Sequence, residues 1–173
     1  MRGGDCAPED CDCPPGPQGS QGPRGATGAT GEAGTFTPQY GYLVRTTATV
    51  IPDNGDVEFT SSDIASPGVN LIGGSGPNVQ IVDPGVYELH FLVDVNEQNQ
   101  FGITVNGAVL AFGIYGQELI NAQNAGRLIL AVNAGAILTL RNLSGGAVAL
   151  QATAGGANPS ITASLLIVKL ADA

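Results

Sequence analysis

The residue types best suited to chemistry stand near the start of the chain, where three cysteines share an acidic segment. Cys6, Cys11 and Cys13 have the spacing C-x4-C-x-C. Because three is an odd number, complete oxidation requires at least one disulfide between chains. Such bonds would lock identical chains together or couple them to a neighbouring particle. Two alternatives stay open: a thiolate metal site, although the spacing matches none of the common zinc patterns, and free thiols without a role.

The second candidate is His90, the only histidine. A single histidine argues against histidine-based catalysis or a multi-histidine metal site within one chain. Around a three-fold axis, three copies of His90 near three copies of Glu88 would form a pH-sensitive or metal-binding cluster. The alternative is a hydrogen-bonded polar residue at an interface. The loop from Asp53 to Asp56 superficially suggests calcium, but it lacks the EF-hand spacing and is better interpreted as a turn.

Motifs for catalysis are missing from the sequence. It contains no nucleophile elbow, no Walker loop, no H-E-x-x-H and no credible Cys–His pair. The run Gly73–Gly76 precedes no lysine. We therefore expect a protein that is not an enzyme and that has no cofactor or metal.

Charge and hydropathy exclude two further classes. Six basic residues and a net charge of −9 argue against nucleic-acid binding, and no apolar run approaches the roughly 18 residues of a membrane span. The first residues carry no apolar stretch of the kind found in secretory signal peptides. We expect a protein that reaches the outside of a cell by another route, such as lysis of the producing cell.

Behind the cysteines, glycine recurs at every third position. The series comprises Gly16, Gly19, Gly22, Gly25, Gly28, Gly31 and Gly34. This period is typical of the collagen triple helix, in which only glycine fits at the crowded axis. A flexible linker is the alternative, although linkers do not space glycine so strictly. So short a rod cannot offset the entropy of aligning three chains, and it therefore predicts a trimerising domain next to it.

Residues 36–173 are predicted to be that domain, behind an acidic cysteine tail at 1–15 and a collagen-like stalk at 16–35. Turn signals alternate with short runs rich in Val, Ile, Leu and Thr, which indicates an all-β domain. We predict strands near 41–51, 56–60, 69–72, 78–82, 86–95, 100–105, 108–114, 126–133, 136–142, 147–153 and 161–170. Asn106-Gly107 predicts a two-residue hairpin turn, because both positions of a type I′ turn need positive φ.

Three of these strands carry more apolar residues than a single core requires. In 86–95 one face is apolar and the other is mixed, whereas 127–133 and 161–170 are largely apolar on both faces. An antiparallel strand with one face in solvent should alternate apolar and polar residues. These strands do not, so we expect their second face to be covered by another subunit. Coverage by a loop of the same chain is the alternative. The expected trimer-interface residues are Glu88, His90, Leu92, Ile129, Leu165 and Ile167.

The glycine ladder from Gly16 to Gly34, the strand D-P-G-V-Y-E-L at 83–89, the Asn106-Gly107 hairpin and the closing strand S-L-L-I-V at 164–168 together resemble the C1q/TNF-like family. Within it, the chain is most similar to collagen-like spore-surface proteins of the Bacillus exosporium glycoprotein type. The resemblance implies a ten-stranded jelly roll that forms a tight trimer about a three-fold axis, with the stalk leaving along that axis. It also implies O-glycosylation at Thr27 and Thr30.

The resemblance further implies a structural role in filaments on a dormant spore. Two features depart from the family pattern: the stalk is short, and cysteines replace the usual Pro-, Thr- and Leu-rich targeting segment. They favour a compact homotrimeric fibre subunit, coupled head-to-tail or to an anchor protein through its tail. The alternative is a trimeric recognition module, such as an adhesin, a fibre tip or a phage tail-fibre component, that binds carbohydrate or a receptor.

Overall fold

The computed structural model describes residues 16–26, 28, 37–153 and 155–172, and the chain divides into two units, residues 1–34 and 35–173. The described residues of the first unit carry neither helix nor strand and are exposed. A Cβ added at any of their glycines would meet nothing within 4 Å. Packing within one chain therefore gives no reason for glycine at these positions. The three cysteines, Thr27, Thr30, Gly31 and Gly34 lie outside the described residues.

The second unit is an all-β sandwich, as predicted, and its described residues contain no α-helix. The strands in chain order are β1 (Tyr40–Arg45), β2 (Thr49–Ile51), β3 (Ser61–Ala65), β4 (Val69–Leu71), β5 (Val79–Ile81), β6 (Gly85–Val95), β7 (Asn99–Val105), β8 (Ala108–Gln117), β9 (Ala122–Val132), β10 (Ile137–Asn142), β11 (Val148–Leu150) and β12 (Ala163–Ala171). A short 3-10 turn, Ile72–Gly74, follows β4.

The strands form two antiparallel layers. The first sheet has the order β3-β1-β12-β6-β9, and the short pair β2–β11 joins the end of β6 where Leu150 faces Val95. The second sheet has the order β4-β5-β10-β7-β8. Each layer thus has five principal strands, which matches the ten-stranded jelly roll that the resemblance implies.

The core lies between the two sheets, and the long strand β6 contributes alternate residues to it over most of its length. On β6, Tyr87, Leu89 and Phe91 are all 0% exposed, as the sequence pattern predicts. From the second sheet, Phe101 on β7 and Leu138 on β10 are also 0% exposed. The residues between these point away from the core, so β6 presents a second set of side chains on its other side.

The Asn106-Gly107 hairpin is present as predicted. Asn106 and Gly107 have φ values of 51° and 81°, and the register pairs Val105 with Ala108 across the turn. The Asn106 side-chain Oδ1 also accepts a hydrogen bond from the amide of Ile137 at 2.9 Å. The turn is therefore tied to the neighbouring strand β10 as well as to β7 and β8.

The region between residues 46 and 65 departs from the prediction. The predicted strand 41–51 is two strands, because the buried Arg45 side chain bonds the carbonyls of Thr47 and Glu58 and the chain turns there. The predicted strand 56–60 makes only two isolated bridges, from Asp56 and Phe59. The strand that pairs with β1 follows it, as β3.

Candidate functional site: the outward face of the first sheet

The candidate site is the side of the first sheet that points away from the core. We call it the outward face and define it by Tyr40, Tyr42, Ile64, Glu88, His90, Leu92, Arg127, Ile129, Ser164, Leu166 and Val168. Cross-strand register brings these side chains together: Tyr42 faces Leu166, Leu166 faces His90, and Glu88 faces Ile129. Residues opposite one another in a ladder share a face, so the set is continuous from β3 to β9.

Large apolar side chains on the outward face are left in water by their own chain. The exposed fractions are 60% for Ile64, 54% for Ile129, 43% for Tyr40 and 37% for Leu166. Isolated exposed apolar residues are ordinary, but a contiguous group that crosses several strands marks an interaction surface. The described loops of this chain leave these side chains accessible.

One ion pair and the single histidine lie within this apolar surrounding. Arg127 Nε lies 2.5 Å from Glu88 Oε1, and His90 is directly opposite Arg127 in the ladder between β6 and β9. An ion pair that is exposed to water contributes little to the stability of the fold. A covering partner would desolvate both charges, so their mutual contact would then decide whether the covered face is stable.

Of the six interface residues expected from the sequence, four lie on this face and two lie in the core. Glu88, His90, Leu92 and Ile129 do lie on the outward face. Leu165 and Ile167 are 0% exposed within the core, and the expectation that they contact a partner is corrected. Because β12 is apolar on both sides, its sequence could not show which set is inward. The outward set of β12 is Ser164, Leu166 and Val168.

A second apolar surface, which the sequence analysis missed, lies at the open edge of the other sheet. We call it the edge patch and define it by Phe112 and Ile114 of β8 and by Leu119 and Ile120 of the loop that follows. Phe112, Leu119 and Ile120 are 64%, 67% and 65% exposed. β8 ends the second sheet, so among the described strands none pairs with its outer edge. In the sequence, this patch is indicated only by Leu119 and Ile120, two adjacent apolar residues in a region predicted to be a turn or loop.

The loop at residues 53–56 forms the predicted turn. Asn54 has a φ of 59°, and the Gly55 amide donates to the Pro52 carbonyl at 2.9 Å. Asp53 Oδ1 accepts from the Gly145 amide, and Asp56 is bound by Arg141. Within the part of the chain that the structure describes, no group of three or more His, Cys, Asp or Glu side chains is placed to hold a metal ion.

No helix of the described residues is long and apolar enough to cross a membrane. No protein-family model and no curated protein matches the chain. The similarity that exists is therefore one of three-dimensional structure.

Solved structures with the same architecture include the globular domain of the zebrafish complement 1qA protein, with a TM-score of 0.59 and 10% identity, covering 78% of this chain and 99% of that one. Murine APRIL has a TM-score of 0.55 at 17% identity, covering 78% and 100%. The Eiger TNF of S. frugiperda has a TM-score of 0.52 at 15% identity, covering 79% and 93%. The second unit of this chain therefore has the C1q/TNF-like jelly-roll fold.

Proposed function

We propose that the chain is a homotrimeric structural subunit of an extracellular spore-surface fibre. The observation that carries the proposal is the outward face, where Ile129, Leu166 and Tyr40 stand exposed across neighbouring strands. A sheet that is apolar on both sides needs a second layer on each. Here one layer comes from the same chain, and the other comes from an identical neighbour.

The two apolar surfaces support an assembly in which the subunits form a closed ring. A closed cyclic assembly uses two different patches, one on each side of the subunit. The outward face and the edge patch are two such surfaces, and packing the edge patch of one copy against the outward face of the next satisfies both. It also covers β8, an open edge that would otherwise invite uncontrolled pairing with other chains.

The glycine period supports three copies. In a single chain, Gly16, Gly19 and Gly22 have open space where a Cβ would stand, so nothing within that chain selects glycine. A triple helix does, because each glycine crosses the common axis. The domain trimer would hold the three short stalk segments at high effective concentration.

The fibre role rests on the cysteine tail and on the resemblance to spore-surface proteins. The tail places thiols from three chains at one end of a short rod, where oxidation after lysis couples the trimer to a neighbouring trimer or an anchor. Repetition of that contact makes a filament. Immunogold labelling of intact spores should decorate the surface or its appendages, and labelling confined to the mother-cell cytoplasm would overturn this role.

Trimer formation is tested by the mass of the full chain in reducing buffer, measured by light scattering. We expect three copies for the wild type and for Val50→Glu, a control at a 63% exposed position of β2. Leu166→Glu should weaken association about a hundredfold or more, because it would replace an apolar contact by a carboxylate that association must take out of water. A folded wild-type monomer, or equal effects of the two substitutions, would overturn the trimer.

A second candidate is a recognition module, which one observation favours. A polar cleft of about 400 Å³ is lined by amides where β7 begins and β8 ends, including Gln98, Gln100 and Gln117, with Glu118 and Ser144 beside them. Amide and hydroxyl groups suit a ligand that forms many hydrogen bonds, such as a carbohydrate. Glycan-array binding by the wild type that is lost in Gln98→Ala and Gln117→Ala would favour this candidate over a purely structural role.

A further inference from the structure

Asparagine stands directly before glycine at two places in the chain, Asn54-Gly55 and Asn106-Gly107. Both pairs lie in tight turns, and both asparagines have a positive φ. In this dipeptide the glycine amide nitrogen can attack the side-chain amide of the asparagine, because glycine carries no Cβ that would hinder the approach. The outcome depends on how firmly the peptide between the two residues is held, and the two turns differ in this respect.

The peptide that joins Asn106 to Gly107 is free to rotate. Neither the Asn106 carbonyl nor the Gly107 amide has a hydrogen-bond partner among the described residues. Both residues are exposed, and a Cβ at Gly107 would meet nothing within 4 Å. The groups on either side are fixed, since the Asn106 amide donates to the Ile137 carbonyl at 2.8 Å and Arg141 Nη1 donates to the Gly107 carbonyl at 3.3 Å. Rotation of this one peptide therefore leaves its neighbours in place.

Rotation of this peptide converts one hairpin turn into another. With φ values of 51° and 81°, Asn106 and Gly107 form a type I′ turn, in which ψ of the first residue is about 30°. In a type II′ turn that ψ is about −120°, and φ of the second residue becomes negative, which glycine accepts. The second arrangement brings the Gly107 nitrogen to the side of the backbone on which the Asn106 side chain stands, where attack on Cγ is possible.

The side-chain amide of Asn106 is polarised for this attack. Its Oδ1 accepts a hydrogen bond from the Ile137 amide at 2.9 Å. This donor withdraws electron density from Cγ and stabilises the negative charge that Oδ1 gains when a nucleophile adds to the carbon. The turn thus combines an exposed nucleophile, an activated carbonyl and a peptide that is free to rotate.

The turn at Asn54 offers the opposite arrangement. The Gly55 amide donates to the Pro52 carbonyl at 2.9 Å, so rotation of its peptide would break a hydrogen bond. Gly55 is half-buried, whereas Gly107 is exposed. Asn54 Nδ2 donates to Asp53 Oδ2 at 2.9 Å. The Asp53 carboxylate therefore lies beside the turn, and its charge disfavours the amide anion that must form at Gly55.

We infer that Asn106 is a site of spontaneous deamidation in the folded protein and that Asn54 is protected. Hydroxide removes the Gly107 amide proton, the nitrogen bonds to Asn106 Cγ, and the Cγ–Nδ2 bond breaks with release of ammonia. Water then opens the cyclic imide at either of its two carbonyl carbons and leaves aspartate or isoaspartate at position 106. Each event adds one negative charge, and the isoaspartate form also adds one carbon to the backbone of the turn.

This modification site is separate from the proposed assembly. Neither Asn106 nor Gly107 belongs to the outward face or to the edge patch, and Phe112 lies six residues further along the chain. The added carbon would disturb the turn from which β8 starts. Slow deamidation would therefore alter the β7–β8 hairpin in a protein that persists for a long time without replacement.

The experiment is ageing of the full-length wild-type chain in mildly alkaline buffer, in the folded state and in concentrated urea. Samples are digested at acidic pH with a protease that cleaves after glutamate. The digestion places Asn54 in the peptide 33–58 and Asn106 in the peptide 98–118, so mass spectrometry follows the two sites separately. Fragment ions locate the change within each peptide, and labelling by an isoaspartyl methyltransferase detects isoaspartate.

In the folded chain we expect Asn106 to deamidate at least about fivefold faster than Asn54, the factor that corresponds to one net hydrogen bond. In urea the two rates should converge, because the turns are lost. Asn106→Gln should abolish the modification of the peptide 98–118, and the matched control Asn54→Gln should leave it unchanged. Equal rates in the folded chain, or a faster reaction at Asn54, would overturn the inference.

A preference for Asn106 that persists unchanged in urea would also overturn it, since the flanking sequence rather than the turn would then set the rate. Melting curves establish that the aged samples and both variants are folded. None of these readouts depends on the mass of the assembly, so the proposed trimer is judged separately.

Discussion

Arg141 and Asp56 are joined by two parallel hydrogen bonds, Nε to Oδ1 at 2.8 Å and Nη2 to Oδ2 at 3.0 Å. Thr139 donates a further hydrogen bond to Oδ1 at 2.9 Å. The carboxylate hydrogen bonds raise the pKa of Arg141 above its ordinary value. These contacts fasten the irregular segment between β2 and β3 to β10. That segment carries Val57 and Phe59 into the core, so a polar clamp on one side secures apolar packing on the other.

Asp56→Ala should lower the free energy of unfolding by about 1.5 to 3 kcal/mol, since hydrogen bonds to a charged partner are lost. Urea unfolding at fixed protein concentration measures this. Glu58→Gln is the matched control, because its side chain is exposed and close in sequence. An equal loss in both variants would show that the clamp contributes nothing specific.

Gly126→Ala should destabilise the domain by about 1 to 3 kcal/mol through overpacking. Gly126 faces Phe91 across the β6–β9 ladder, and a Cβ there would come within 2.5 Å of the Tyr115 ring. Phe91 and Tyr115 already pack edge to face at 5.8 Å between centroids, so an added methyl group would have to displace one of two rings that are in contact. Thermal unfolding measures the change. Gly156→Ala, which meets nothing within 4 Å, should be nearly neutral, and a comparable loss there would contradict the packing argument.

Asp94→Asn should be more stable than the wild type at neutral pH. The pKa of Asp94 is raised in the folded chain because burial disfavours its charged form, so the folded state holds the proton more tightly than the unfolded state. Stability therefore increases as the pH falls through the folded pKa and decreases as it rises. The advantage of the variant should shrink at acidic pH. Melting temperatures across this pH range check the sign, and an advantage that grew on acidification would contradict it.

If the cysteines link chains, gel electrophoresis should show a ladder of disulfide-linked bands that disappears under reducing conditions. Denatured protein from oxidising buffer should run as linked chains without reductant and as a single chain with it, because at least one of Cys6, Cys11 and Cys13 must bond between chains when all are oxidised. Changing all three to serine should abolish the ladder and leave the domain's melting temperature unchanged. A wild-type single-chain band under oxidising conditions would contradict the coupling.

The sequence predicted those elements whose local pattern agrees with their final environment. The β6 alternation and the Asn106-Gly107 turn are of this kind, since the inward residues are apolar and the turn needs positive φ. β3 was missed because Ser61, Ser62 and Asp63 lack the apolar signature of a strand. It forms through pairing with β1, which is a long-range interaction that no local pattern expresses.

For a related reason, the sequence predicted the part of the outward face that lies on β6 but not the part that lies on β12. On β6, Glu88 and His90 mark the outward set by their polarity. On β12, Leu165 and Leu166 are chemically equivalent, so only the completed sandwich decides which one is buried.

The pairing of Tyr40 with Val168 has a practical consequence. The polypeptide enters and leaves the jelly roll at the same end of the first sheet, near Gly85, where β6 begins. The turn at residues 96–98 lies at the other end of β6, about 33 Å away for an eleven-residue strand. Peptides inserted there would be displayed away from the entry point.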